Sequence, residues 1–351
     1  MSESTNVVIV GAGPIGIELA VVLKKMGVDY AHLEGGQMGG TIARFPKQVR
    51  FFSSPERIAI AGVALRTVNQ EKATREEYLA YLRAVVEQFD VPVRTGVEVL
   101  SVEPERGGAF TVRTRRRGVE SEISARHVVL AIGGMHRPRR LGIPGEDLPH
   151  VSHDFDEPHR FFRERLLIVG GRNSAAEAAV RCARAGARVT MSYRREKFDS
   201  SSVKYWILPE LEGLIRRRVV QFHPATVPAA IGPETVTLKP AEGAPGDAIE
   251  VPADFVLLLV GYEMDTSLLE GAGAELEGPS RKPKLDPDTM MTTVEGLYVA
   301  GVAVAGTQQR YRLFIENCHP HVTKIARAIT GEQPPAGLVN DAVTRFDLPE
   351  S

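Results

Sequence analysis

Two glycine-rich hexapeptides carry the residues of this chain best suited to chemistry, Gly11-Ala12-Gly13-Pro14-Ile15-Gly16 and Gly170-Gly171-Arg172-Asn173-Ser174-Ala175. The chemistry they fit is the holding of a pyrophosphate, because a backbone without Cβ can turn tightly, approach the phosphates and leave their charge on a helix N-terminus. Each turn follows an apolar run that reads as a buried parallel strand, Val7 to Val10 and Leu166 to Val169, and each opens a stretch of helical spacing. Two turns predict two nucleotides. About twenty residues after the first glycines, the strand Tyr30 to Leu33 ends in Glu34, where a carboxylate accepts hydrogen bonds from a ribose with free hydroxyls. The second unit reverses the charge: its strand Arg188 to Tyr193 runs into Arg194-Arg195, and two guanidiniums suit a 2′-phosphate. A solvated strand end is the plainer reading of that arginine pair. The expectation is FAD at the first turn and NADPH at the second. Arg172 stands where the middle glycine belongs. Either its side chain swings out to a phosphate, the reading preferred here, or it obstructs close approach.

The elements that must position these turns are α/β in pattern, and 351 residues allow two or three domains with ample core. A net charge of −1, from 43 Lys and Arg against 44 Asp and Glu interspersed along the chain, argues against a nucleic-acid or membrane-surface footprint. Arg113 to Gly118 reads as a solvated hairpin. The N-terminus enters the first strand without a signal-like segment, so a cytoplasmic protein is expected. Cys182 and Cys318 form neither a disulfide framework nor a metal-binding spacing, and no metal is expected. Cys182 shares a helix face with Ala175, Ala178 and Ala179 and reads as an inert core thiol.

With these residues in view, the chain resembles the low-molecular-weight flavoproteins similar to thioredoxin reductase, and within them the bacillithiol disulfide reductases, also called bacilliredoxin reductases. The broad signals are the first turn, Glu34, Gly36-Gln37-Met38-Gly39-Gly40-Thr41, Ala131-Ile132-Gly133-Gly134 before Leu141-Gly142-Ile143-Pro144-Gly145-Glu146, and Gly296 to Gly301. More specific are Phe51-Phe52-Ser53-Ser54-Pro55-Glu56, Gly171 to Ala175, Trp206 to Glu210 and Phe314-Ile315-Glu316-Asn317. The resemblance implies two Rossmann-like nucleotide-binding domains, a discontinuous FAD domain of residues 1–136 and 266–351 with an NADPH domain of residues 137–265 inserted, in a homodimer. It implies an FAD site built from Gly11, Gly13, Pro14, Ile15, Gly16, Glu34, Gly35, Gly36, Gln37, Thr41, Phe52, Ser53, Val99, Ala131, Gly133, Gly301, Phe314 and Ile315. The NADPH site then comprises Gly170, Gly171, Arg172, Asn173, Ser174, Ala175, Tyr193, Arg194, Arg195 and Gly261. Independently of the resemblance, the apolar runs Val128 to Ala131 and Phe255 to Val260, each closely followed by glycine, predict crossings between domains near 137 and 265. Leu297 to Gly301 is expected to return as a buried strand beside the first. Val302 stands where the wider class has an aspartate for the flavin ribityl chain.

The resemblance also exposes a loss. Thioredoxin reductases carry a Cys-x-x-Cys that this chain lacks, and the proposed active cysteine of the bacillithiol group falls at Ile15, which can only pack. Three routes for the electrons stay open: reduced flavin attacks a disulfide directly, Cys318 substitutes, or the acceptor is not a disulfide. If Pro320 begins the last helix, Cys318 lies at its N-terminus, where the dipole and a neighbouring imidazolium would lower its pKa. If that helix begins near Arg312, Cys318 is a packing residue. His319 and His321 either protonate a leaving thiolate or cap and pack. The expected activity is NADPH-dependent reduction of a low-molecular-weight thiol disulfide. Ferredoxin or flavodoxin reduction, oxygen-directed oxidase or monooxygenase chemistry, and NADPH sensing without turnover are the alternatives.

Overall fold

In the computed structural model, residues 3–308 and 312–342 are described and the chain divides into two compact units, Met1–Arg137 with Glu263–Ser351, and Pro138–Tyr262. The second crossing falls ahead of residue 265 because Met264 is already buried in the core of the first unit. Among the described residues no helix is long and apolar enough to cross a membrane.

The first unit is built on a sheet whose parallel part runs Val93–Thr95, Tyr30–Glu34, Glu3–Val10, Val119–Leu130. Val7 to Val10 are buried without alternation, as expected of a strand covered on both faces. The helix Pro14–Lys25 follows at once, with Pro14 in its first turn and Lys24 and Lys25 opposing the dipole at its end. It is buried from Ile15 through Leu23, because the helix His319–Thr330 packs on its other side through Val322, Ile325 and Ala326. The hairpin Phe110–Arg116 to Val119–Leu130 extends the sheet antiparallel, with Arg115 bonded to Glu98 at 2.7 Å and Arg113 to Glu122 at 3.2 Å on a solvated face.

One expectation fails here. The strand Leu297–Val299 pairs with Val128–Leu130, not with the first strand. The reason is that Glu3–Val10 already has a neighbour on each edge, whereas Val119–Leu130 outruns its hairpin partner and leaves its last five residues, 126–130, unpaired by it on that side.

The second unit has a parallel sheet in the order Val220–Pro224, Arg188–Tyr193, Arg165–Val169, Phe255–Leu258, Val151–Ser152. A three-stranded antiparallel sheet, Thr226–Ile231, Thr235–Pro240 and Ile249–Pro252, accompanies it. The helix Asn173–Arg184 packs its alanine face and Cys182 inward. Burial pushes the Cys182 thiol up to about 12, with the charge of Arg181 opposing, so it stays protonated.

Candidate functional site

The parallel register brings Val10 level with both Leu33 and Leu130, so the first glycine turn leaves the sheet between two strand ends. Gly11 N–H donates to Leu33 O at 2.8 Å, and Ala131 N–H donates to Val10 O at 2.8 Å. Gly11 has φ +101°, and a Cβ there would lie 2.5 Å from Ala131 O, so no other residue fits. Gly13 by contrast opens onto space, with nothing within 4 Å of where its Cβ would be. That opening meets the N-terminus of Pro14–Lys25, whose first turn holds no acidic residue and no side-chain cap. Unspent N–H groups beside an open backbone suit a phosphate. Glu34 Oε2 accepts from Ala12 N–H at 2.8 Å and Oε1 from Gly36 N–H at 2.9 Å. The carboxylate therefore locks the turn to the strand end and keeps lone pairs for a ribose. Gly35, Gly36 and Gln37 continue from Glu34, while Thr41 lies in the short helix Gly40–Ala43, with its Oγ1 4.0 Å from a Cβ built on Gly133. Ser53 is buried and Phe52 half-buried just before the short helix Pro55–Ile58; Val99 is in the strand Glu98–Pro104. A Cβ on Gly301 would contact the Ile15 side chain at 3.6 Å, so Ile15 packs under the turn that follows Leu297–Val299. Phe314 N–H is held by Asn317 Oδ1 at 2.7 Å, and Ile315 begins the turn Ile315–Asn317. These residues fit FAD in chemistry.

The second turn repeats the geometry. Gly170 has φ +146°, its N–H donates to Ser192 O at 3.0 Å, and a Cβ there would lie 2.5 Å from Leu259 O. A Cβ on Gly171 would strike the Tyr193 ring at 2.3 Å. Arg172 caps the helix in extended backbone and is half-buried, and Ser174 is exposed in the first turn with Ala175 beneath. Asn173 Oδ1 accepts from Lys204 N–H at 2.8 Å and so anchors the segment after the arginine pair. Arg194 and Arg195 are exposed at the strand end, with Arg195 3.5 Å from Asp199. Gly261, φ +107°, accepts from Arg139 N–H at 2.9 Å. The exposed guanidiniums at the strand end fit NADPH.

The thiol and histidine expectations need correction. The last helix does begin at His319, with Pro320 in its first turn and Cys318 as cap, yet Cys318 is fully buried and its Sγ donates to Phe314 O at 2.9 Å. Burial, with the Glu18 charge adding to it, drives the thiol far above its usual pKa. Desolvation and a nearby carboxylate outweigh the helix dipole, so Cys318 is no thiolate nucleophile. His321 is buried with Nδ1 unbonded, and burial, then Lys324 and His319, push it down to about 4, so at neutral pH it is not the imidazolium that a general acid needs. His319 is engaged elsewhere: Nδ1 bonds Glu18 Oε2 at 2.7 Å and Nε2 bonds Arg57 O at 3.0 Å. Burial opposes its charged form, but Glu18 and these bonds hold its pKa above the usual value.

Glu18 is a residue the sequence reading missed. Its Oε1 also accepts from Ala61 N–H at 3.2 Å and Asn340 N–H at 3.1 Å, so one buried carboxylate ties the helix Pro14–Lys25 to three distant segments. The available signal was an acidic residue inside an otherwise apolar helix turn. Glu177 was missed too. On the helix after the second turn, burial raises it to about 7 against the pull of Arg181.

The fold and both turns define a two-nucleotide flavoprotein, and the chain belongs to the pyridine nucleotide-disulphide oxidoreductases, whose family model matches residues 8–301. Its cofactors are FAD and NADPH, and it is an NADPH-dependent flavoprotein oxidoreductase. It is similar to the bacilliredoxin reductase Bdr of Bacillus subtilis, 34% identical over 92% of this chain and 96% of that one. The solved bacillithiol disulfide reductase Bdr of Bacillus cereus superposes with a TM-score of 0.88 at 34% identity, covering 94% of this chain and 99% of that one. A ferredoxin–NADP reductase of Ignicoccus hospitalis is 28% identical over 84% of this chain and 89% of its own.

Proposed function

We propose that this protein passes two electrons from NADPH through FAD to the disulfide of a low-molecular-weight thiol, with bacillithiol disulfide as the substrate to try first. The carrying observation is the match to bacillithiol disulfide reductases over more than nine-tenths of the chain. In this reading the first unit holds FAD on the N–H groups after Gly13, with Glu34 on its ribose, and the second holds NADPH with Arg194 and Arg195 on the 2′-phosphate. FAD, when bound, supplies the relay that accepts a hydride from the nicotinamide and returns two electrons to the acceptor. Two electrons and two protons cleave one disulfide into two thiols. With Cys182 and Cys318 both buried, no thiol of the described chain takes part, and the acceptor meets the flavin directly. A cytoplasmic homodimer completes the reading.

Ferredoxin or flavodoxin reduction is the second reading, favoured by the same burial of both cysteines and by the ferredoxin–NADP reductase relatives. The test is anaerobic stopped-flow reduction of the purified yellow protein by NADPH, followed by mixing with bacillithiol disulfide, ferredoxin or oxygen. Rapid reoxidation by the disulfide is expected. Reoxidation by ferredoxin alone would transfer the assignment to the second reading, and reoxidation by none would leave NADPH sensing.

A further inference from the structure

Each polar backbone atom of Gly11 and Ala12 is engaged. Gly11 N–H donates to Leu33 O, Ala12 N–H to Glu34, and Ala12 O accepts from Gly39 N–H at 2.9 Å. The fourth atom, Gly11 O, is wedged against the start of the helix Pro14–Lys25, where a Cβ on Gly16 would lie 2.1 Å from it. Its donor is His32, whose Nε2 stands 3.0 Å away. A carbonyl only accepts, so Nε2 carries the ring proton and Nδ1 is bare. His32 is fully buried in the strand Tyr30–Glu34, level with Ile9, and its Nδ1 bonds no described residue. Burial pushes the imidazole down to about 4, against the opposing pull of the Gly11 bond, so at neutral pH the ring is uncharged and keeps the tautomer that the bond selects. A buried nitrogen without a partner costs stability that an apolar side chain in the same place would not. His32 and Glu34 are two apart on one strand and share a face. Between them they grip opposite ends of a single peptide, Gly11 O and Ala12 N–H, immediately ahead of the open backbone at Gly13.

We propose that His32 is a positioning residue for FAD: by holding Gly11 O it fixes, with Glu34, the orientation of the Gly11–Ala12 peptide and so presets the N–H groups beyond it for the pyrophosphate. A turn fixed before its ligand arrives loses less freedom on binding, and the orphaned Nδ1 is the accompanying cost. The inference rests on FAD occupying the first turn and on no particular electron acceptor.

The test compares wild type with His32→Leu, His32→Gln and Glu34→Ala as purified holoenzymes. The Kd for FAD is taken from free-flavin fluorescence on dilution, and phosphorus NMR of the bound pyrophosphate reports on the turn itself. His32→Leu removes the donor and keeps the bulk; it is expected to raise the Kd about tenfold and to move the phosphorus signals. The amide of His32→Gln reaches the position of Nε2 and is expected to restore the Kd to within about threefold of wild type, which separates the hydrogen bond from packing. A Kd within about twofold of wild type in His32→Leu, with the phosphorus signals unmoved, would overturn the proposal, as would equal losses in the leucine and glutamine variants. If His32→Leu does not fold, nitrogen NMR of the wild-type imidazole decides: a proton on Nε2 with Nδ1 bare, together with near-normal FAD binding by His32→Gln, upholds the assignment, and a proton on Nδ1 overturns it. Glu34→Ala keeps the two failures apart. If it too leaves the Kd for FAD unchanged, the placing of FAD at the first turn fails and the proposal with it, whereas weakened binding in Glu34→Ala beside an unaffected His32→Leu overturns the role of His32 alone.

Discussion

Arg194 and Arg195 stand free enough at their strand end to reach a phosphate, and Asp199 is the one carboxylate found close to either among the described residues. Replacing both by alanine is expected to relax the preference for NADPH over NADH by roughly one or two powers of ten, read as the ratio of kcat/KM values. Unchanged preference would move the 2′-phosphate elsewhere. Cys318→Ser makes an opposite kind of claim: a buried, protonated thiol that only bonds Phe314 O should be dispensable, and single-turnover reoxidation by the disulfide acceptor should stay within about twofold of wild type. A collapse of that rate would restore the thiol to the chemistry. The contrast shows what a sequence conveys at this scale. The demands on Gly11 and Gly170 are local, set by the turn and by the strand beside it, and so they can be read from a hexapeptide. The state of Cys318 is set by its burial and, after that, by Glu18, three hundred positions away, and no pattern near Cys318 announces either.

The loop Leu141–Glu146 is the element with the clearest pH signature. Glu146 accepts from Leu141 N–H at 2.9 Å, Gly142 N–H at 2.7 Å and His153 Nε2 at 2.8 Å. Burial alone would raise its pKa, but these bonds and the Arg140 charge overcome burial and hold it at about 2. A depressed carboxylate stabilises the fold above its unfolded value of 4.5, and that contribution is lost as pH falls towards 2. Glu146→Gln should therefore be less stable than wild type at pH 6 in urea melts, with the gap closing between pH 4.5 and 2; a constant gap would mean the carboxylate does not titrate with folding. At this scale the strands and helices around both turns followed from apolar runs and glycine, whereas the place of Leu297–Val299 did not. Its neighbour was decided by which strand had an edge left over, and that depends on the whole sheet.

For the whole molecule, two cores with separate sheets predict two unfolding transitions by calorimetry. FAD should raise one and 2′,5′-ADP the other, each by about 2.7 kcal/mol at a hundredfold excess over its Kd. A single transition moved by both ligands would mean the units unfold together. The presence of two nucleotide units was legible because each carries its own turn, strand and charge at the strand end. The clamp of Glu18 on His319, Ala61 and Asn340 was not, since it joins positions from both ends of the chain.

The split first unit imposes an order of events on synthesis. Pro138–Tyr262 is continuous and is complete once Tyr262 has left the ribosome. Val128–Leu130 must wait for Leu297–Val299, and the helix Pro14–Lys25 must wait for His319–Thr330 to cover it. Throughout that interval the nascent chain carries an apolar strand with an open edge and a helix with a bare face, the kind of surface that recruits other chains. The middle unit is then a finished body on a tether while its host is still half made, and the protein's vulnerability lies in the delay between the two.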